Sequence, residues 1–139
     1  VDDAELTTLI CEQLALIPDW AWRPEGPAYS EAEVGIFYGA LGASPDRAVG
    51  VRVYSTTDND REHLRSRRVQ LRLRGPRARP DGADVLAGLA FGALQGLSRV
   101  GGISGASRLS MAPAGADENG REERTENYTI ILDNQEALS

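Results

Sequence analysis

Between Arg67 and Gly75 the chain reads RRVQLRLRG, and its alternation of apolar and polar positions predicts a strand. Val69, Leu71 and Leu73 fall on one face and Arg68, Gln70, Arg72 and Arg74 on the other, because successive strand side chains point to opposite sides. One face needs a core; the other suits water, acids or phosphates. A sheet with helices over its apolar side meets both demands.

The rest of the pattern supplies those helices and further strands. Leu6, Leu9, Ile10, Leu14 and Ile17 recur at helical spacing, after Asp2 or Asp3 as a cap and before Pro18. Residues 19–27 read as a Pro/Gly loop in which Trp20 and Trp22 either plug the end of the core or form an exposed binding spot, the plug being the more economical. Residues 34–41 and 49–53 predict two strands, joined by the turn GASPDRA into a hairpin. Residues 56–66 are polar and aperiodic, a surface loop holding Asp58, Asp60, Arg61 and the single histidine, His63.

Beyond Pro80, residues 81–97 predict a second helix whose apolar face holds Leu86, Leu89, Ala90, Ala93, Leu94 and Leu97. It also carries Gly88, Gly92 and Gly96, each costing about 0.5–1 kcal/mol against alanine in a helix interior. Such a stripe implies close approach of another backbone, either the sheet beneath or a neighbouring subunit, the sheet being the simpler choice. Residues 101–111 can hold a strand, 112–120 form a turn-rich loop, and 121–133 form a long strand with Tyr128, Ile130 and Leu132 on one face. The tail 134–139 reads as frayed. The expected fold is α+β in the order α-β-β-β-α-β-β. It is one domain over residues 1–139, with a mixed or antiparallel sheet of about four to five strands and two helices on one face.

Composition narrows the function classes. A chain of 139 residues suits one domain that buries roughly 65–70% of its unfolded surface. Cys11 is the only cysteine, so no intrachain disulfide can form, and it reads as a small apolar residue beside the first helix's core face. The start of the chain lacks the basic n-region of a signal peptide, and the longest uncharged apolar run, 85–94, is far short of the ~20 residues of a membrane span, so a soluble protein is expected. The net charge of -6 disfavours a stand-alone nucleic-acid binder. All fifteen basic residues are arginine, and eight of them lie in 61–79 against one acid, whereas 117–126 holds five acids against two arginines. Two surfaces of opposite sign suit head-to-tail self-association.

Enzyme templates fail. One histidine in a charged loop cannot build a Ser/His/Asp arrangement, there is no CxxC or HxxxH spacing, and GGISG at 101–105 neither follows a strand nor opens a helix. Glu122 and Glu123 are adjacent on a strand and face opposite ways. No catalytic residue, metal or cofactor is expected.

A first helix closed by proline and tryptophans, GIFYG at 35–39, PD at 45–46 ahead of VRVY at 51–54, VQLRLRG at 69–75, GADENGR at 115–121 and TENY at 125–128 together resemble the small minor capsid or tail terminator proteins of long-tailed bacteriophages. The resemblance implies a structural virion protein at the head-proximal end of the tail, assembled in the host cytoplasm. Such proteins form a six-membered ring that caps the tail tube, ends its polymerisation and offers a docking face to head completion or neck proteins, while double-stranded DNA passes through the lumen. The arginine-rich and acidic segments are the candidate complementary surfaces of such a ring: Arg68, Arg72 or Arg74 is expected to pair across the subunit boundary with acids such as Glu122, Glu123 or Glu126, the alternative being that both segments are solvated faces. Trp20, Trp22, Asp58, Asp60, Arg61, Asp117, Glu118 and Asn119 are candidates for docking to tube or neck. A conduit should not grip its cargo, because each neutralised phosphate adds affinity and drag. The alternatives are a neck or connector protein on the portal side and, from another class, a DNA-binding regulatory module using the arginine face.

Overall fold

Leu6, Ile10 and Leu14 stand one helical turn apart, and all three are fully buried on α1 (Asp3–Leu14), with Cys11 beside them. Burial pushes the Cys11 thiol up to about 12, so it is an inert apolar filler. Asp2 caps the helix, its Oδ1 accepting the Glu5 N–H at 2.7 Å, and the acids of the first turn suit the helix dipole. Asp2→Ala is expected to cost about 1 kcal/mol, measured as a lower urea midpoint at unchanged m-value.

In this computed structural model the described residues are 1–59 and 64–133; the expectations for Asp60, Arg61, His63 and the tail 134–139 lie outside them. The strands are β1 (Trp20–Ala21), β2 (Val34–Tyr38), β3 (Ala48–Asn59), β4 (Leu64–Arg77), β5 (Ile103–Ala116) and β6 (Arg121–Leu132), with α2 (Gly82–Leu94) between β4 and β5. They form one mixed sheet in the order β1-β2-β3-β4-β6-β5, six strands and not four to five because Trp20 and Ala21, within the expected loop, pair along β2 as a short edge strand. Val49, Val51, Val69, Leu71, Leu73, Tyr128, Ile130 and Leu132 join residues of α1 and α2 in one core. The α+β reading, with both helices on one face, holds.

Three expectations fail, each for a physical reason. Residues 34–38 and 48–51 are parallel neighbours, not a hairpin. Alternation says which face a side chain takes and nothing about strand direction, and residues 39–47 double back along the sheet because buried arginines hold them there. Residues 56–59 and 64–66 are strand, not loop: Thr56, Thr57 and Asp58 pair with Arg67, Ser66 and Arg65 in a ladder of polar and charged residues, which leaves no apolar alternation to read. Likewise β5 runs through the expected loop to Ala116, paired along β6.

The glycine stripe of α2 also departs from expectation. Among the described residues, nothing lies within 4 Å of where a Cβ on Gly88 or Gly92 would stand, and Gly96 lies past the helix at φ +78. Leu89 is exposed, while Ala83, Leu86, Ala87, Ala90 and Leu94 face the core. The close approach occurs at Gly75 of β4 instead, where a Cβ would meet the Gly82 carbonyl carbon at 2.6 Å and the Ala83 nitrogen at 2.7 Å. No helix among the described residues is long and apolar enough to cross a membrane.

Candidate functional site

The arginine strand and the acidic segment are hydrogen-bonded neighbours. Antiparallel pairing of β4 with β6 sets Arg74 opposite Glu123, Arg72 opposite Thr125 and Leu71 opposite Glu126. Opposite charges on adjacent strands attract, so much of the complementarity seen in sequence is satisfied inside one subunit. On the helix-free face, Arg72 Nε donates to Glu123 Oε1 at 2.6 Å. Beside it, Gln70 Nε2 donates to Asn127 Oδ1 and Asn127 Nδ2 to Ser110 Oγ, a polar ladder over three strands. Arg68 and Arg52 are exposed on this same face.

Arg74 is buried. Its Nε donates to the Asp46 carbonyl at 2.9 Å and its Nη2 to the carbonyls of Gly42 at 2.8 Å and Pro45 at 2.7 Å. Burial, and then the neighbouring Arg121, push its pKa below the ordinary guanidinium value. Arg121, also buried, donates to the Ala43 carbonyl, to Asp46 Oδ1 and to Asp117 Oδ2. Two guanidinium forks thus staple residues 39–47 to the sheet and to the β5–β6 turn. Only 4% of Arg74 is exposed on the subunit.

Glu126 lies on the opposite, helix-covered face and has no exposed surface; it accepts from Arg108 at 2.9 Å and Arg124 at 3.1 Å, and Arg124 also reaches Asp84 of α2 at 2.9 Å. This buried network satisfies its charges internally, as burial demands. Beside it the Tyr128 hydroxyl has no hydrogen-bond partner among the described residues, and burial together with Glu126 pushes its pKa up to about 12. Glu122 is half-buried. Of the six expected boundary residues, Arg68, Arg72, Glu122 and Glu123 therefore retain surface, and Arg74 and Glu126 do not.

The expected docking residues separate to opposite ends. β3 and β6 both run antiparallel to β4, so the end of β3 and the start of β6 lie at opposite ends of the sheet. Asp58 is at one end, bonded by Arg67 at 2.8 Å, with Arg67 also reaching Asp3 at 2.8 Å. Hydrogen bonding from Arg67 holds the Asp58 carboxyl below its usual range. Asp117, Glu118 and Asn119 form the turn at the other end, where Asp117 Oδ1 accepts the N–H groups of Asn119 and Arg121. Those backbone bonds, that of Arg121 first, hold its pKa low.

Trp20 is core, and Trp22 is half-buried against it, so both serve mainly to close the core. The loop after them is tied by Arg23, whose fork donates to Glu33 at 2.8 and 2.5 Å, and by the Tyr29 hydroxyl donating to the Ile36 carbonyl. Arg23 holds the Glu33 carboxyl down to about 2 from an ordinary 4.5. A depressed pKa stabilises the fold fully above the ordinary value and loses that contribution as pH falls toward the folded one. The tie should therefore weaken from pH 4.5 down to about 2. Carboxyl titration by NMR should place the Glu33 midpoint near the lower value, and Arg23→Gln should move it up toward the ordinary one.

No group of three or more His, Cys, Asp or Glu able to hold a metal occurs among the described residues. The site is one of surfaces: a polar sheet face, two ends bearing loops or hairpin, and a helix layer. The sequence signal that would have found the internal pairing is the match of two alternating segments of opposite sign, but only strand order makes them neighbours.

The family described as bacteriophage tail terminator protein matches residues 16–134, which include every strand and α2. No curated protein matches the chain. Among solved structures, a chain from the virion of a native gene transfer agent particle superposes with a TM-score of 0.57 at 14% identity, covering 91% of this chain and 93% of that one. At that identity the likeness speaks for the fold alone.

Proposed function

This chain belongs to the bacteriophage tail terminator family, and we propose that it forms a ring, hexameric by family resemblance, that caps the tail tube, stops its growth and docks the head or neck. It acts as a structural protein without catalysis. The observation that carries this reading is the family match running from residue 16 to 134, across the whole sheet. The fold supports it by presenting candidate contacts at opposite ends of the sheet, which suits a protein joining two different neighbours.

Passage of DNA through the lumen fits the charge. The subunit is acidic at -6, and Arg67, Arg72, Arg74, Arg108, Arg121 and Arg124 are engaged by groups of their own chain. Arginines so engaged are poor phosphate grips, so the purified protein should not bind duplex DNA tightly at moderate salt.

The test is tube assembly. Purified tail tube protein polymerised with this chain should give short tubes labelled at one end; unchanged tube lengths with unlabelled ends would overturn the reading. Labelling of the portal on tailless heads instead would indicate the neck assignment.

A further inference from the structure

Given the ring proposed above, on which this inference rests, we propose that the outer stripe of α2 seats the β5 arm of a second copy of the chain. α2 has two apolar faces. Val85, Gly88, Leu89 and Gly92, spaced i, i+3, i+4, i+7, turn away from the sheet, with Val85 53% and Leu89 47% exposed, and Leu16 beyond the end of α1 is 75% exposed. A groove of about 320 Å³ between Leu16, Ile17, Leu89, Gly92 and Ala93 runs beside it. A solvent-facing helix surface is ordinarily polar, yet 85–94 carries no charge. Among the described residues nothing lies within 4 Å of where a Cβ on Gly88 or Gly92 would stand. Two glycines that weaken the helix without serving its own packing suit close approach from outside.

The complementary element is β5. It is one of the two edge strands, and residues 107–116 are exposed, Leu109 by 51% and Met111 by 42%. Its one charged residue, Arg108, is turned inward onto Glu126 and over the Phe91 ring at 4.4 Å. Edge strands are commonly blunted by charge, and 109–116 carries none. Pro113 and the register shifts at 103/105, 108/110 and 113/115 oppose extension of the sheet by another strand, so the arm is suited to packing by side chains against a helix.

The occupant is a second copy for an electrostatic reason. Chains of charge -6 repel, and they meet at least cost through surfaces without charge; the stripe and the arm are two such stretches. Made once per boundary, stripe of one copy to arm of the next, the contact is heterologous, and repetition closes the proposed ring when the rotation per subunit closes.

Gly92→Leu and Met111→Glu test the two halves; Gly92→Leu should not lower the unfolding midpoint and Gly88→Ala should raise it, and because Met111 stands opposite Glu126, Met111→Gln is the companion variant that adds no like charge and should leave the midpoint unchanged. Light scattering should show at least tenfold less assembled protein for Gly92→Leu and Met111→Glu than for wild type at equal concentration. Gly92→Cys and Met111→Cys variants, mixed and oxidised, should cross-link only in the mixture, native Cys11 being buried. A wild-type ring that persists in both bulky and charged variants, with no cross-link, would overturn this contact while leaving the ring reading intact. A wild-type chain that stays at 15.0 kDa at every concentration and on tail-tube tips would overturn both.

Discussion

Arg74→Ala should destabilise the protein by about 3–5 kcal/mol, the largest loss expected from one side-chain truncation on the helix-free face. Three carbonyls of residues 39–47 accept from this guanidinium, at 2.9, 2.8 and 2.7 Å. A charged hydrogen bond contributes about 1.5–3 kcal/mol, and loss of the donor leaves the partner carbonyls short of a partner. Relief of the repulsion between Arg74 and Arg121 offsets part of the loss, which is why the sum of three bonds overstates it. Arg74→Lys should recover only part, because an ammonium cannot span carbonyls from three residues with a planar fork. Urea unfolding measures the loss, and faster exchange of the Gly39 N–H, bonded to the Val51 carbonyl at 2.7 Å, would locate it. A change below about 1 kcal/mol would show that the loop holds by packing alone.

Gly75→Ala should cost about 3 kcal/mol or more through a different mechanism. Its Cβ would lie 2.6–2.7 Å from backbone atoms of Gly82 and Ala83, so the first turn of α2 must lift from the sheet. That turn positions Leu86, Ala87 and Ala90 in the core, and lifting it opens space that close-packed interiors do not tolerate. A melting point lower by on the order of 10 °C is expected, with the far-UV spectrum of the remaining native fraction unchanged. An unchanged melting point would mean that α2 slides along the sheet at little cost. The contrast with Gly88 is informative: both are glycines near one helix, but only Gly75 is required by the subunit's own packing.

Much of the fold was legible because its signals are local. Leu6, Ile10 and Leu14 mark α1, Leu86, Ala90 and Leu94 mark α2, and the alternations at 69–73 and 128–132 mark the inner strands; in each case periodicity alone identifies the buried face. The same logic overreached at Leu89, because periodicity shows that a residue is on an apolar face without showing that a helix has only one. It fell silent at 56–58 and 65–66, where the residues are polar and polarity carries no period.

The candidate site was less legible. Arg72 and Glu123 are legible in sequence as complementary charges, but only the β4–β6 register shows that they meet within one subunit. Arg74 and Glu126 stand on strands with the right alternation, yet one is buried under the loop 39–47 and the other under α2, facts that depend on segments distant in sequence.

Sequence by itself determined the α+β class, the two helices, the inner strands and the acidic, arginine-only charge pattern, since each follows from neighbouring residues and backbone geometry. Tertiary structure decided that β2 and β3 run parallel, that Arg74 and Arg121 staple a loop, that opposite charges close upon each other inside the subunit, and that Gly88 and Gly92 look outward. Those outcomes depend on which distant strand lies alongside, a choice made by the summed packing of the whole chain and not by any one segment's pattern.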